Sequence, residues 1–318
     1  MKILVIKPSS LGDVIHGLQV AAAIKDGLPG ASIDWVVRDC FSEMVKFSAL
    51  ASRILLFHRG SGLRKFHKLI AEIRERHYDY VLDMQGLARS GVMTYFSDAD
   101  VKIGRSDARE FSWLAYDRRI SLPRAPHVHA IDILLQFLPE FGLPPELRGC
   151  VKFSAKPTGA LETFCENISA DGTPVILLFP ESRRREKIWP YFHELSVALS
   201  RKFTDARLVM VAQNEILTGE RPKNFYNLSG KTSIGDMIWL LQNCSVAVAN
   251  DSAPMHLAAA MKIPVVALFG PTDPQKFGPY PIGDWRNFVI QAPGGDLASL
   301  TVDTVASAVC SGFIDGMG

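Results

Sequence analysis

Ser245-Val246-Ala247-Val248-Ala249-Asn250-Asp251-Ser252-Ala253-Pro254-Met255-His256 runs into Leu257-Ala258-Ala259-Ala260-Met261 and then Pro264-Val265-Val266-Ala267-Leu268-Phe269. A short β-leaning run, a polar turn, a small-residue segment and a second apolar run read as strand, turn, helix, strand. Ser252 suits a helix N-cap, and Pro254 is tolerated in a helix only in its first turn. The N–H groups of that turn point beyond the carboxyl end of the preceding strand. A helix N-terminus in that place favours an anion, most often a phosphate. The stretch therefore predicts a nucleotide or phosphorylated ligand. A capped helix with nothing bound remains the alternative, and is the commoner case for a lone Asp-Ser.

The same alternation extends outward in both directions. In the first half, Ile3–Ile6, Ile33–Val37, Ile54–Phe57 and Tyr80–Leu82 read as strands, and Val14–Lys25 and Leu63–His77 as helices. His127 and His129 open a further helix that reaches Phe141. In the second half, Val175–Phe179 and Leu208–Ala212 read as strands, and Tyr191–Lys202, Ile234–Gln242 and Thr301–Phe313 as helices. Continuous apolar strands suit a parallel sheet covered on both faces. The rhythm breaks at Leu143-Pro144-Pro145 and at Lys156-Pro157-Thr158-Gly159, which sets the domains at 1–155 and 156–318. The simplest architecture is α/β, two doubly wound halves with a cleft between them. Ligands of such sheets sit beyond the carboxyl ends of the strands. No G-x-G-x-x-G follows the first strand and no G-x-x-x-x-G-K-[ST] occurs, so the usual dinucleotide and P-loop signatures are missing.

Composition narrows the class. The 318 residues allow two ordinary domains, and 47% hydrophobic with 21% charged residues is a globular balance. A net charge of +2 gives no argument for nucleic acid. Cys40, Cys150, Cys165, Cys244 and Cys310 are scattered, which predicts reduced thiols as in a cytoplasm, without a disulfide framework or zinc site. The apolar run after Met1 is too short for a signal peptide. No run approaches the roughly 20 apolar residues of a membrane span.

Three strand-end turns carry the candidate chemistry. In Lys7-Pro8-Ser9-Ser10-Leu11-Gly12-Asp13, Gly12 permits a tight turn and Asp13 either caps the next helix or takes a proton from an incoming hydroxyl. In Asp83-Met84-Gln85-Gly86-Leu87-Ala88-Arg89-Ser90, Asp83 and Gln85 either bond an acceptor or cap. In Glu181-Ser182-Arg183-Arg184-Arg185-Glu186-Lys187-Ile188-Trp189-Pro190, a cation-dense loop ends at a Trp-Pro that fixes Lys187 before a helix. Its cations suit a diphosphate; a solvated loop is the plain alternative. No D-x-D or carboxylate pair has metal spacing, so no metal is expected.

Together these pieces resemble glycosyltransferase family 9, the ADP-heptose:lipopolysaccharide heptosyltransferases. The motifs in order are K-x-S-S-x-G-D-V at Lys7 to Val14, D-x-Q-G-L-x-[KR]-S at Asp83 to Ser90, and K-x-W-P at Lys187 to Pro190. The fourth runs from the strand before Asp251 through His256-Leu257 to Phe269-Gly270-Pro271-Thr272-Asp273-Pro274. They span essentially the whole chain, and Lys7-Pro8-Ser9-Ser10 with the Gln85 loop is most similar to the heptosyltransferase I branch.

The resemblance implies a GT-B fold, two Rossmann-like domains facing a central cleft. It implies ADP-heptose as donor on the C-terminal domain, with no cofactor, and an anionic Kdo-bearing lipid A acceptor on the N-terminal one. It makes Asp13 the catalytic base of an inverting transfer. Lys187 matches the lysine on the donor phosphates, Ser182 falls near hydroxyl residues of that loop, and Asp251, Ser252 and His256 match the donor-binding D-[ST]-G-x-x-H. Glu215 falls near a ribose-binding acid, and Ser10, Gly12, Gln85, Arg109 and His129 fall in the acceptor region. Ala253 stands where the family usually has glycine: a methyl group there crowds a phosphate or, in helical backbone, is harmless. A cytoplasmic protein at the inner face of the membrane is expected, with Arg59, Arg64, Lys65, Lys68, Arg74 and Arg76 either facing the acceptor or solvated. The alternatives are a transferase of another nucleotide sugar or acceptor, and a non-catalytic nucleotide-sugar binding module.

Overall fold

The computed structural model describes residues 1–158, 161, 162, 164, 165, 172–216, 219 and 222–315. The chain forms two compact units, Met1–Ser154 and Ala155–Gly318. Gly159, at one edge of the expected break, lies outside the described residues.

The first unit holds β1 (Lys2–Ile6), β2 (Ser32–Arg38), β3 (Arg53–Phe57), β4 (His77–Asp83), β5 (Asp98–Arg105) and β6 (Arg118–Ile120). They pair in the order β3-β2-β1-β4-β5-β6. The second holds β7 (Val175–Phe179), β8 (Arg207–Met210), β9 (Phe225–Asn227), β10 (Val246–Asn250), β11 (Val265–Phe269) and β12 (Asn287–Gln291), ordered β12-β11-β10-β7-β8-β9. All these pairings are parallel. With strands counted afresh in the second unit, both orders read 3-2-1-4-5-6, the doubly wound nucleotide-binding order.

Burial explains the pattern. β7, β10 and β11 are buried along their whole length, as is β1 after Lys2. Strands of this kind need a helix on each face. The described helices of the two units are α1 (Leu11–Gly27), α2 (Ser42–Ser48), α3 (Gly62–Arg74), α4 (Ala88–Phe96) and α5 (Ala130–Leu135), then α6 (Phe192–Lys202), α7 (Ile234–Gln242), α8 (Ala253–Ala260), α9 (Pro274–Phe277), which buries no residue, and α10 (Val302–Asp315). In the second core, Trp189 is 1% exposed between α6 and the sheet, and its indole N–H donates to Leu300 O at 2.9 Å. Truncating so large a buried ring typically costs about 3–5 kcal/mol, so the loop before Trp189 has a fixed anchor.

Two expected helices end early. α3 stops at Arg74, and His77 instead begins β4, where its ring meets Asp98 and Asp100 at 3.2 Å each. The helix expected to run to Phe141 stops at Leu135 and is followed by a 3-10 turn at Leu138–Phe141. Pro139 has no N–H to continue the α ladder.

The two orders place a reversal of winding between β1 and β4, and another between β7 and β10. Beyond the carboxyl ends of such strand pairs lie the crevices that doubly wound sheets use for ligands. All three candidate turns of the sequence, and the Asp251 turn, leave these four strands.

Candidate active site

In the first unit, Ile6 at the end of β1 lies in register with Asp83 at the end of β4. Lys7 follows directly and is 2% exposed. Its Nζ donates to Met84 O at 3.1 Å and lies 3.5 Å from Asp13 Oδ1. Asp13 sits in the first turn of α1. Its Oδ2 accepts from the Ser10 N–H at 2.8 Å and the Ser10 hydroxyl at 2.7 Å. The Ser10 contacts and the Lys7 contact are thus divided between the two oxygens of one carboxylate, and the side chain remains 42% exposed. Burial pushes the Asp13 carboxyl up, but the Lys7 charge and the Ser10 donors outweigh it and hold it at about 2. Burial pushes the Lys7 ammonium down, and Asp13 opposes that. The tight turn expected of Gly12 is not there: Gly12 is already the second residue of α1, and extended Ser10 makes the turn.

Asp83 is fully buried. Its Oδ1 accepts from the Gln85 and Gly86 N–H groups at 2.9 Å each, and its Oδ2 from the Tyr116 hydroxyl at 2.7 Å. Burial raises its carboxyl pKa, and these donors counteract the rise. Gly104 on β5 makes the last contact possible, since a Cβ there would fall 2.0 Å from the Tyr116 ring. Asp83 therefore builds the turn that presents Gln85. The Gln85 Oε1 accepts from the Ser9 N–H at 3.3 Å, tying together the loops after β1 and β4. Arg109 is exposed, and its N–H donates to Gly86 O at 2.9 Å. His129 is 2% exposed and caps α5, its Nδ1 accepting from the Ile131 N–H at 3.2 Å. It acts from inside the unit, edge-on to His16 at 5.7 Å between centroids.

In the second unit, the Asp251 side chain is 6% exposed and that of Lys187 16%. The Asp251 Oδ2 accepts from Lys187 Nζ at 2.5 Å and from the Thr272 hydroxyl at 2.6 Å. The Ser182 hydroxyl donates to Asp251 O at 3.1 Å. Asn250, fully buried, accepts on Oδ1 from the Trp189 N–H at 3.1 Å and donates through Nδ2 to Pro180 O at 2.8 Å. The loops after β7, β10 and β11 are therefore fastened to one another. Arg183, Arg184 and Arg185 are exposed in the same loop as Lys187.

Ser252 holds the N-cap position of α8, but its hydroxyl donates back to Asn250 O at 3.2 Å and makes no cap hydrogen bond. The cap expected of its side chain is thus not made. Ala253 is the first residue of α8, in helical backbone where no glycine conformation is required. His256 lies half-buried in the same helix, and Glu215 is exposed beyond β8. Glu181 accepts from the backbone N–H groups of Gln213 (2.5 Å) and Asn214 (3.2 Å), holding the segment that leads to Glu215.

Of the cations read as either facing an acceptor or solvated, Arg76 does neither. It pairs with buried Asp34 at 3.2 Å, next to the amino end of β4 and so at the opposite edge of the sheet from Asp13. Among the described residues, no group of three or more His, Cys, Asp or Glu is placed to hold a metal ion. None of the described helices is long and apolar enough to cross a membrane.

Lys7, Asn250 and Thr272 lie inside the motifs, yet spacing gave none of them a role. Asn250 could have been flagged as a polar side chain ending a fully apolar strand, because such a group needs partners when buried.

Comparison with known proteins agrees with this fold. The model of "Glycosyltransferase family 9 (heptosyltransferase)" matches residues 66–291. A lipopolysaccharide heptosyltransferase 1 from Escherichia coli O18:K1:H7 is 26% identical over 324 residues, covering 96% of each chain. A lipopolysaccharide heptosyltransferase 2 from Escherichia coli K12 is 27% identical over 309 residues, 86% of this chain and 84% of its own. The solved structure of the Escherichia coli heptosyltransferase WaaC with ADP superposes with a TM-score of 0.80 at 24% identity, over 98% of this chain and 100% of the other. The shared fold is α/β of the GT-B type.

Proposed function

This chain belongs to glycosyltransferase family 9, and from that premise we propose that it transfers a heptose from ADP-heptose to the Kdo end of the lipopolysaccharide inner core, with inversion. The observation that carries the division of labour is the opposite setting of two lysine–carboxylate pairs at equivalent places. In the first unit the lysine is buried and the carboxylate exposed; in the second the carboxylate is the more buried partner.

Asp13 acts on the acceptor. Oδ2 is occupied by the two Ser10 donors, while Oδ1 carries the longer contact to Lys7 and is the oxygen that takes the proton. A carboxylate held at about 2 is ionised at neutral pH. It is a weak base at rest, so the proton moves as the acceptor hydroxyl acidifies, while its oxygen bonds to the anomeric carbon. The bond from that carbon to the diphosphate breaks on the opposite face, and ADP leaves with the bonding electrons. Ser10, Gly12, Gln85 and Arg109 belong to the acceptor side on this assignment, and His129 supports it from within.

Lys187 acts on the donor. Asp251, itself held by the Thr272 hydroxyl, fixes its ammonium, and the first turn of α8 adds N–H dipoles towards the same anion. Both stabilise negative charge as it grows on the departing diphosphate. Ser182, Ser252, Ala253 and His256 form the surrounding wall, with Glu215 towards the nucleoside. The donor is an ADP-sugar and the acceptor is lipid-anchored, so the protein works in the cytoplasm, peripherally at the inner face of the membrane.

Relatives of types 1 and 2 match at nearly the same identity, so the test offers both acceptors. Purified protein is incubated with ADP-heptose and either Kdo-lipid A or its mono-heptosylated product. ADP release with a one-heptose mass increase on the Kdo acceptor supports the proposal. Transfer only to the heptosylated acceptor would reassign the chain to the second step, and ADP binding without any transfer would leave a binding module.

A further inference from the structure

One face of the first unit is open and apolar, and the chemistry above does not use it. Val92, Tyr95 and Phe96 are exposed on α4; Phe111, Trp113 and Leu114 are exposed around the 3-10 turn at Ser112–Ala115. Leu114 is 74% exposed and Phe111 70%. The two sets form one surface, because Gly91 of α4 lies against Ser112: a Cβ there would fall 2.8 Å from Ser112 Cα. Rings pair within each half, Tyr95 with Phe96 and Phe111 with Trp113, both at 5.1 Å between centroids. Phe111 is held outward in left-handed backbone at φ +61°, directly after Glu110 at φ +55°. Side-chain-bearing residues rarely adopt that conformation.

The rim of this face is cationic. Arg89 is exposed one turn before Val92, Arg109 is exposed two residues before Phe111, and the Lys102 ammonium donates to Tyr95 O at 2.9 Å. The nearest acids are bonded: Glu110 accepts from the Ala88 N–H at 3.0 Å, Asp107 pairs with Arg105 at 2.6 Å, Asp98 meets His77 at 3.2 Å, and Asp117 accepts from the Lys102 N–H at 2.8 Å. Aromatic and aliphatic side chains ringed by arginine and lysine match the boundary between headgroups and acyl chains of an anionic bilayer. A second copy fits less well, because a two-fold contact would set the cationic rim against itself. The face also adjoins the acceptor loop, since α4 begins three residues after Gln85 and Arg109 bonds Gly86.

We propose that this face docks the protein on an anionic bilayer, with Phe111, Trp113 and Leu114 entering the interface. The inference rests on the reading of a lipid-anchored acceptor, whose sugars would reach Gln85 while its chains stay in the membrane. The test uses the full chain and vesicles of phosphatidylethanolamine and phosphatidylglycerol that contain no glycolipid. Wild type cosediments, binds pure phosphatidylcholine vesicles more weakly, and shows Trp113 fluorescence quenched by brominated lipid. The exposed-site double variant Phe111→Ser/Leu114→Ser keeps the wild-type melting temperature and partitions at least about tenfold more weakly. It retains wild-type turnover on a deacylated, water-soluble acceptor and loses turnover on acceptor embedded in vesicles. Wild type that fails to bind, or a double variant that binds like wild type, would overturn the docking face. A dimer that the double variant dissolves, without vesicle binding, would assign the face to a second copy and also overturn it. Absence of transfer to the soluble acceptor by wild type would instead contradict the transferase reading and leave the vesicle result standing.

Discussion

The crevice between β1 and β4 and the crevice between β7 and β10 occupy the same place in two copies of one topology, and each contains a lysine facing an aspartate. The pairs are set in opposite senses. Lys7 is 2% exposed and Asp13 42%, at 3.5 Å; Lys187 is 16% exposed and Asp251 6%, at 2.5 Å. Topology decides where a ligand meets the sheet. Which partner the fold buries then decides what the ligand meets: a carboxylate in the first unit, a cation braced from behind in the second. The proposed base and the proposed anion site are one arrangement turned inside out.

Breaking each pair sharpens that contrast. Asp13→Asn keeps the shape and the Ser10 contacts but removes the proton acceptor, and steady-state ADP release should fall by about 10²–10⁴-fold. Lys187→Met removes the cation and leaves Asp251 with Thr272. The kcat/KM for donor should fall by roughly 10–100-fold, shared between KM and kcat, because the lost cation both binds the diphosphate and meets the charge that grows on it.

Lys7→Met is subtler, because Lys7 acts only through Asp13. With Lys7 present the Asp13 carboxyl is held at about 2. Without it, the carboxyl rises toward the ordinary value of about 3.9. The acid limb of the kcat/KM profile should therefore shift upward, by about 1–2 pH units. The sign for stability follows from the same depression. Ionised Asp13 stabilises the wild type fully above about pH 4, and that stabilisation is lost as pH falls towards about 2. Acid denaturation of Lys7→Met should show a smaller change across that window. The smallest effect belongs to Ala253→Gly. Ala253 is helical, so glycine gains nothing from its conformational freedom and weakens the helix start by at most about 1 kcal/mol. Donor KM should change less than about threefold, with a slightly lower melting temperature.

The fold was legible because its signal is local. Continuous apolar runs such as Val175–Phe179 and Val265–Phe269 announce strands buried on both faces, and the Pro254 turn fixes where a helix starts. The placement of a candidate residue was legible where a local anchor sets it, as at Lys187 before its Trp-Pro. It was not legible where partners come from distant strands. Nothing near Thr272 in the sequence points to Asp251, and nothing near Tyr116 points to Asp83 or to the space that Gly104 leaves for its ring. Ser252 shows the converse. Its type and position predict a side-chain cap, but a nearby carbonyl on Asn250 captures its hydroxyl. Asp13 reads in the sequence as a cap or a proton acceptor, and its unequal burial against Lys7 is visible only once β4 lies alongside β1.

The inverted pairs are tested most directly by calorimetric titration of ADP into wild type, Asp13→Asn and Lys187→Met. Unchanged affinity in Asp13→Asn with at least about tenfold weaker binding in Lys187→Met is the predicted result. Equal weakening in both variants, or weakening confined to Asp13→Asn, would contradict the assignment of the anion to the second unit and the base to the first.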